Sequence, residues 1–135
     1  MAAFEKFNQF VEDVAHGVHD FSANQIVVAL TDTDPGAGSS TLSEITQVDY
    51  ADCSTRNVTL GSSAQVGGVY KLTLNDLTLT SSGTVGPFRY VVLYNDSPSG
   101  DPLVGYYDYE SSITLNNTET LEINFDDANG VLTIQ

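Results

Sequence analysis

The chain has 135 residues, enough for one domain with its own core, and 18 acidic residues against 4 basic ones give a formal net charge of −14. That balance excludes a surface built to neutralise phosphates, so neither nucleic acid nor an anionic membrane is an expected partner. The lone cysteine, Cys53, excludes an internal disulfide framework, and no apolar run approaches the roughly 18 residues of a membrane span.

The N-terminal residues lack the basic head and apolar stretch of a secretory leader, so the chain is expected to be made in a cytoplasm. Phe4, Phe7, Val11, Val14 and Val18 recur at steps of three and four, with Phe10 beside them and polar residues between. This spacing predicts an amphipathic helix over 3–16, stopped by Gly17. Gln25 to Leu30 is a near-continuous apolar run of strand length and reads as a central strand buried on both faces. Thr31 to Ser40 is a loop by composition, followed by a short turn or helix at Leu42 to Ile45. Asn57–Leu60 and Gln65-Val66 read as short strands around a Gly61-Ser62-Ser63 turn. From Val69 onward, strand follows strand. Tyr70, Leu72 and Leu74 share one face, and Leu77 and Leu79 another. Phe88 to Tyr94 is apolar on both sides and is expected at the centre of a sheet. Asn95 to Pro102 is a polar hairpin loop leading into Val104–Tyr109. Asp127 to Gly130 is expected to close a terminal hairpin of Leu121–Phe125 and Val131–Gln135. The sum is a single domain over 1–135, with the helix at 3–16 and a sandwich over 25–135. Its fold class is all-β, a jelly-roll or other Greek-key sandwich of about eight strands with one N-terminal helix.

Groups with chemical potential do not converge on a reaction. His16 and His19 sit three apart, but no third metal ligand follows at a recognisable spacing, so they read as solvent-facing or capping residues. Asp32/Asp34 and Asp126/Asp127 do not match a twelve-residue calcium loop and suit β-turns. Asp108 and Glu110 flank Tyr109 near Tyr106 and Tyr107, a carboxylate and aromatic mixture that a glycosidase uses, yet alternate spacing marks the polar face of a strand more simply. Acidic neighbours disfavour a reactive thiolate at Cys53. No Gly-x-Ser-x-Gly elbow occurs. Neither an enzyme nor a cofactor is expected, and function is assigned to the surface. Two aromatic groups are the candidate interface anchors: Phe4, Phe7 and Phe10 on the helix, and Tyr106, Tyr107 and Tyr109 on a late strand.

Four segments together carry a family resemblance. They are Phe7-Asn8-Gln9-Phe10-Val11-Glu12-Asp13-Val14-Ala15-His16-Gly17-Val18-His19; Val28-Ala29-Leu30-Thr31; Gly86-Pro87-Phe88-Arg89-Tyr90-Val91-Val92-Leu93-Tyr94-Asn95-Asp96; and Pro102-Leu103-Val104-Gly105-Tyr106-Tyr107-Asp108-Tyr109, continuing through Ser112–Leu115, Phe125-Asp126 and Gly130–Thr133. The chain resembles a family of short structural proteins of tailed bacteriophages across most of its length, outside about Pro35 to Ala64. The resemblance implies a virion component, by preference a capsid decoration or cement protein. Such a protein binds the outside of the major capsid protein lattice as a homo-oligomer, dimer or trimer, and stabilises the head. Other roles left open are a tail, neck or baseplate component, or a module that binds host glycans through Tyr106, Tyr107 or Tyr109. The resemblance supplies no contact motif.

Overall fold

A computed structural model describes residues 3–135; Met1 and Ala2, which the sequence reading includes in the domain, lie outside the described residues. The chain is an all-β sandwich with one short helix. In order it forms β1 (Phe4–Lys6), α1 (Asn8–Ala15), β2 (Ile26–Thr31), a 3-10 turn at Leu42–Glu44, β3 (Asn57–Val58), β4 (Leu60–Val66), β5 (Val69–Leu74), β6 (Leu77–Thr80), β7 (Val85–Asn95), β8 (Leu103–Leu115), β9 (Thr120–Ile123) and β10 (Leu132–Ile134). Three antiparallel sheets result, ordered β1-β8-β7-β2-β3, β10-β5-β4 and β6-β9.

The largest sheet is built on the two runs that sequence marks as central. Every residue of β2 is buried, as is β7 from Tyr90 to Asn95. Val28, Ala29, Leu30, Val91, Val92 and Leu93 are shut off from solvent altogether. Fully burying a side chain of this size contributes about 1.5–3 kcal/mol, so these strands dominate the core. That core is one continuous cluster. It takes Leu72 and Leu74 from β5, Leu79 from β6, Ile123 from β9 and Phe125 just beyond it, so all three sheets close over the same interior. The expected hairpin between β7 and β8 is present, with Leu93 opposite Gly105 and Tyr94 opposite Leu103.

The N-terminus departs from the single expected helix. Phe4, Glu5 and Lys6 pair with Tyr107, Tyr106 and Gly105 as a strand at the sheet edge. The Phe7 N–H still donates to the Val104 carbonyl at 3.2 Å, and only at Asn8 does the chain turn helical. A helical spacing of aromatic residues does not distinguish a helix from a strand that feeds one, because both rings find cover on β8, Phe4 on Tyr107 and Phe7 on Tyr106. The stop at Gly17 is as expected. Gly17 takes φ +72°, its N–H donates to Val14 O, and the Val18 N–H reaches back to Asp13 O, the paired bonds of a Schellman cap.

Three further expectations are corrected. Strands among the described residues number ten rather than about eight. Gly61-Ser62-Ser63 is not a turn but part of β4, and Gly61 sits at a bulge between Leu60 and Ser62. The real turn is Gly67-Gly68, whose φ values of +59° and +86° suit a tight two-residue hairpin loop. The terminal hairpin does not form. β9 pairs with β6, β10 pairs with β5, and the Asp126–Gly130 turn carries the chain from one sheet to the other. Asp126 stabilises that crossover by accepting N–H bonds from Ala128 and Asn129.

Candidate functional site

Four of the six candidate anchors, Phe4, Phe7, Tyr106 and Tyr107, come together, because β1 and the residue that follows it lie against β8. Phe4 packs on Tyr107 with ring centroids 5.5 Å apart, Phe7 on Tyr106 at 5.2 Å, and Tyr107 on Phe125 at 6.1 Å. Phe10 meets His19 at 5.2 Å and Phe21 at 6.0 Å. Phe7 is completely enclosed, and Phe10, Tyr106 and Tyr107 are buried; Phe4 and Tyr109 are half-buried. In the folded chain Phe4, Phe7, Tyr106 and Tyr107 pack on one another and Phe10 packs on His19 and Phe21, so most of the two expected stripes is covered. They fix the N-terminal segment to the sheet. Burial raises the phenol pKa of Tyr107, and the neighbouring Tyr109 and Asp126 add to the shift.

His19 is neither solvent-facing nor a helix cap, as expected of it, although His16 is exposed at the C-cap. The His19 ring stacks on Phe21, 5.3 Å between centroids and 3° from parallel. Its tautomer follows from its neighbours. Asn95 Oδ1 accepts the Ser97 N–H, so Asn95 Nδ2 is the amino end, and it donates to Asn24 Oδ1 at 2.9 Å and to His19 Nδ1 at 3.0 Å. Nδ1 is therefore the acceptor and Nε2 carries the hydrogen; Nε2 is enclosed and makes no hydrogen bond among the described residues. A second proton on Nδ1 would face the Asn95 amide hydrogens. Burial also lowers the His19 pKa, against an upward pull from Asp13.

The carboxylate pair on β8 is divided by its surroundings. Asp108 receives Arg89 side-on, Nε to Oδ1 at 2.8 Å and Nη2 to Oδ2 at 3.0 Å, and also accepts the Glu110 N–H. Those bonds hold the Asp108 carboxyl below the usual carboxylate range, the opposite of what a general acid needs. Cys53 is half-buried, and desolvation pushes its thiol pKa up. Among the described residues no three His, Cys, Asp or Glu side chains gather as metal ligands, and no helix is long and apolar enough to cross a membrane.

Two features remain at the surface, one beside the expected N-terminal stripe and one where sequence reasoning did not look. One feature is a groove of about 560 Å³ between β1, α1 and β10, lined by Phe4, Phe10, Val11, Val14, Val131 and Ile134 among others. Val11 and Ile134 are 54 % and 45 % exposed within it. The other is the β4–β5 hairpin. Val66 at its tip is 82 % exposed, and every residue of β4 except Ser63 is exposed. The signal that marks this hairpin in the sequence is charge: no Asp or Glu occurs between Asp52 and Asp76.

Compared with family models, with curated proteins and with solved structures, the chain has no match.

Proposed function

We infer that this chain is a non-enzymatic structural protein of a phage virion, by preference a capsid decoration protein bound outside the major capsid protein lattice. The observation that carries the non-catalytic part is the use of the reactive groups. His19, Tyr106, Tyr107 and the Arg89–Asp108 pair are all engaged in holding strands and loops together, while the most exposed large apolar side chains, Val11, Val66 and Ile134, lie on α1 and on the edge strands β4 and β10. A chain arranged in this way acts by contact, through area and complementarity. The virion assignment is supported by the resemblance of the segments around Phe7–His19, Gly86–Asp96 and Pro102–Tyr109 to small phage structural proteins. The net charge of −14 suits a protein displayed on a particle or seated on a basic ridge.

The glycan-binding alternative draws little support from the site, since Tyr106 and Tyr107 are buried and Tyr109 is half-buried. A sugar-stacking platform needs an open ring face.

The deciding experiment is the copy number of this chain in purified particles, measured by quantitative mass spectrometry against the major capsid protein. A simple capsid stoichiometry is expected. A handful of copies per particle would move the protein to the tail or neck, and absence from particles would overturn the virion reading.

A further inference from the structure

We propose that the chain pairs with a second copy of itself through the free edge of β4, antiparallel across a two-fold axis. The three-stranded sheet β10-β5-β4 then continues into its copy as one six-stranded sheet. This assignment stands apart from the virion reading and does not require it.

Edge length is the first reason. β3 has two residues, β1 and β10 have three, and β6 and β9 have four, whereas β4 has seven. Short strands are one of the ways proteins blunt their sheet edges; others are charged residues and proline. β4, Leu-Gly-Ser-Ser-Ala-Gln-Val, uses neither, and its one irregularity is the bulge at its start. From Ser62 to Val66 it pairs with β5 in unbroken register, which leaves alternate N–H and C=O groups on the other side without a strand partner among the described residues. On its inner side the hairpin is stiffened by a 2.7 Å bond between Ser63 Oγ and Tyr70 OH. On its outer side Ser62, Ala64, Val66, Val69 and Lys71 line a shallow depression of about 360 Å³.

Charge selects the occupant. Cys53 to Asn75 is a run of 23 residues with no carboxylate, and it holds Arg56 and Lys71, two of the four cations of the chain. All 18 acidic residues lie in the remainder. A basic partner gains most by docking on that acidic remainder and gains least here. For a second copy, itself at −14, the order is reversed: the acid-free edge is where two copies meet with the fewest opposed carboxylates. Asp20 shares a depression with Ser63 and Tyr70, and Asp126 lies beside Lys71, but each is bound into its own turn by Ser22 and by Asn129. Antiparallel pairing of a strand with its own copy is self-complementary, and it uses up the edge on both sides. The product is a closed dimer, not a trimer.

The test is sedimentation velocity of the full chain from low to high micromolar concentration, at low salt and in about 0.5 M NaCl, where charges are screened within a few ångströms. A species of twice the 14.5 kDa chain mass is expected, tightening as salt rises. Ala64→Asp and Val66→Asp alter exposed side chains and leave the core untouched. Each is expected to weaken association by about tenfold or more, with melting temperature retained, by bringing like charges together across the two-fold. Val11→Asp, in the separate groove, is expected to leave association unchanged. Amide hydrogen exchange is expected to slow along β4, and not along β10, as concentration rises. A monomer under all conditions would overturn the proposal. So would a dimer that survives both β4 variants, one lost with Val11→Asp, or one that leaves the β4 amides unprotected.

Discussion

His19 shows how much a single side chain can be committed by its neighbours. Asn95 fixes it as an acceptor at Nδ1, Phe10 and Phe21 flank the ring, and burial lowers its pKa. The charged groups around it are Asp13 on α1, which favours the imidazolium, and Asp20 in the same depression, where Tyr70 supplies a neutral hydroxyl. Because the folded pKa lies below the unfolded value of about 6.5, neutral His19 stabilises the fold fully above that pH. The contribution declines as pH falls below about 6.5 and is gone below the folded pKa. Thermal unfolding of the wild type is therefore expected to shift to lower temperature between about pH 7.5 and pH 5.5. His19→Gln is expected to flatten that slope. An unchanged slope in the variant would show that His19 is not its source. The carboxylates held low, Asp20, Glu44 and Asp126 by their own turns and Asp108 by Arg89, act in a separate window. Their contribution is present above the ordinary carboxylate pKa and declines only in more acidic solution.

Among the elements, β1 depends most on one residue of another strand. Gly105 lies opposite Lys6, and a Cβ there would overlap the Phe4 ring and come within 2.7 Å of the Glu5 carbonyl oxygen. Backbone cannot yield as a flexible side chain does, so Gly105→Ala is expected to push β1 off the sheet edge at a cost of about 1–3 kcal/mol. Urea unfolding would read this as a lower midpoint, and exposure of the Phe4 region as faster amide exchange in β1. An unchanged midpoint would mean that β1 adds little. The same element shows where the sequence was legible. β2 and β7 declare themselves because they are apolar on both faces, and nothing but a central strand suits Ile26–Leu30 or Tyr90–Tyr94. β1 was hidden, since three residues before a helix carry no period of their own. β4 was hidden for a different reason: Gly61-Ser62-Ser63 has turn composition, and only pairing with β5 makes it a strand. The crossover at Asp126–Gly130 has the chemistry of a hairpin turn, and the choice between pairing β9 with β10 and sending them to different sheets is made by partners far away in the chain. Of the six candidate anchors, the aromatic character was legible but not the burial, because Tyr106 and Tyr107 find their cover more than ninety residues upstream.

Over the whole molecule, charge is the dominant feature. With 18 acidic and 4 basic residues, the compact state carries self-repulsion that the expanded chain relieves. Added salt is expected to raise the melting temperature steadily between about 0.02 and 0.5 M NaCl, as the Debye length shrinks from tens of ångströms to a few. The rise should persist in Val66→Asp, where strengthened self-association cannot supply it. A flat or falling curve would mean that the acidic groups are spaced well enough to ignore one another. Those groups are unevenly spread along the chain: none falls between Asp52 and Asp76, the segment that forms β3, β4 and β5.

The pairing of Phe4 with Tyr107 also sets an order of events during synthesis. The ribosome delivers Phe4 and Phe7 about a hundred residues ahead of the strand that covers them. At elongation rates of about 5–20 residues per second, that is an interval of roughly 5–20 seconds. Throughout it the nascent chain presents an uncovered aromatic segment, of the kind chaperones recognise. β1 is thus made well before it can settle, and its place in the sheet waits for the codons of β8.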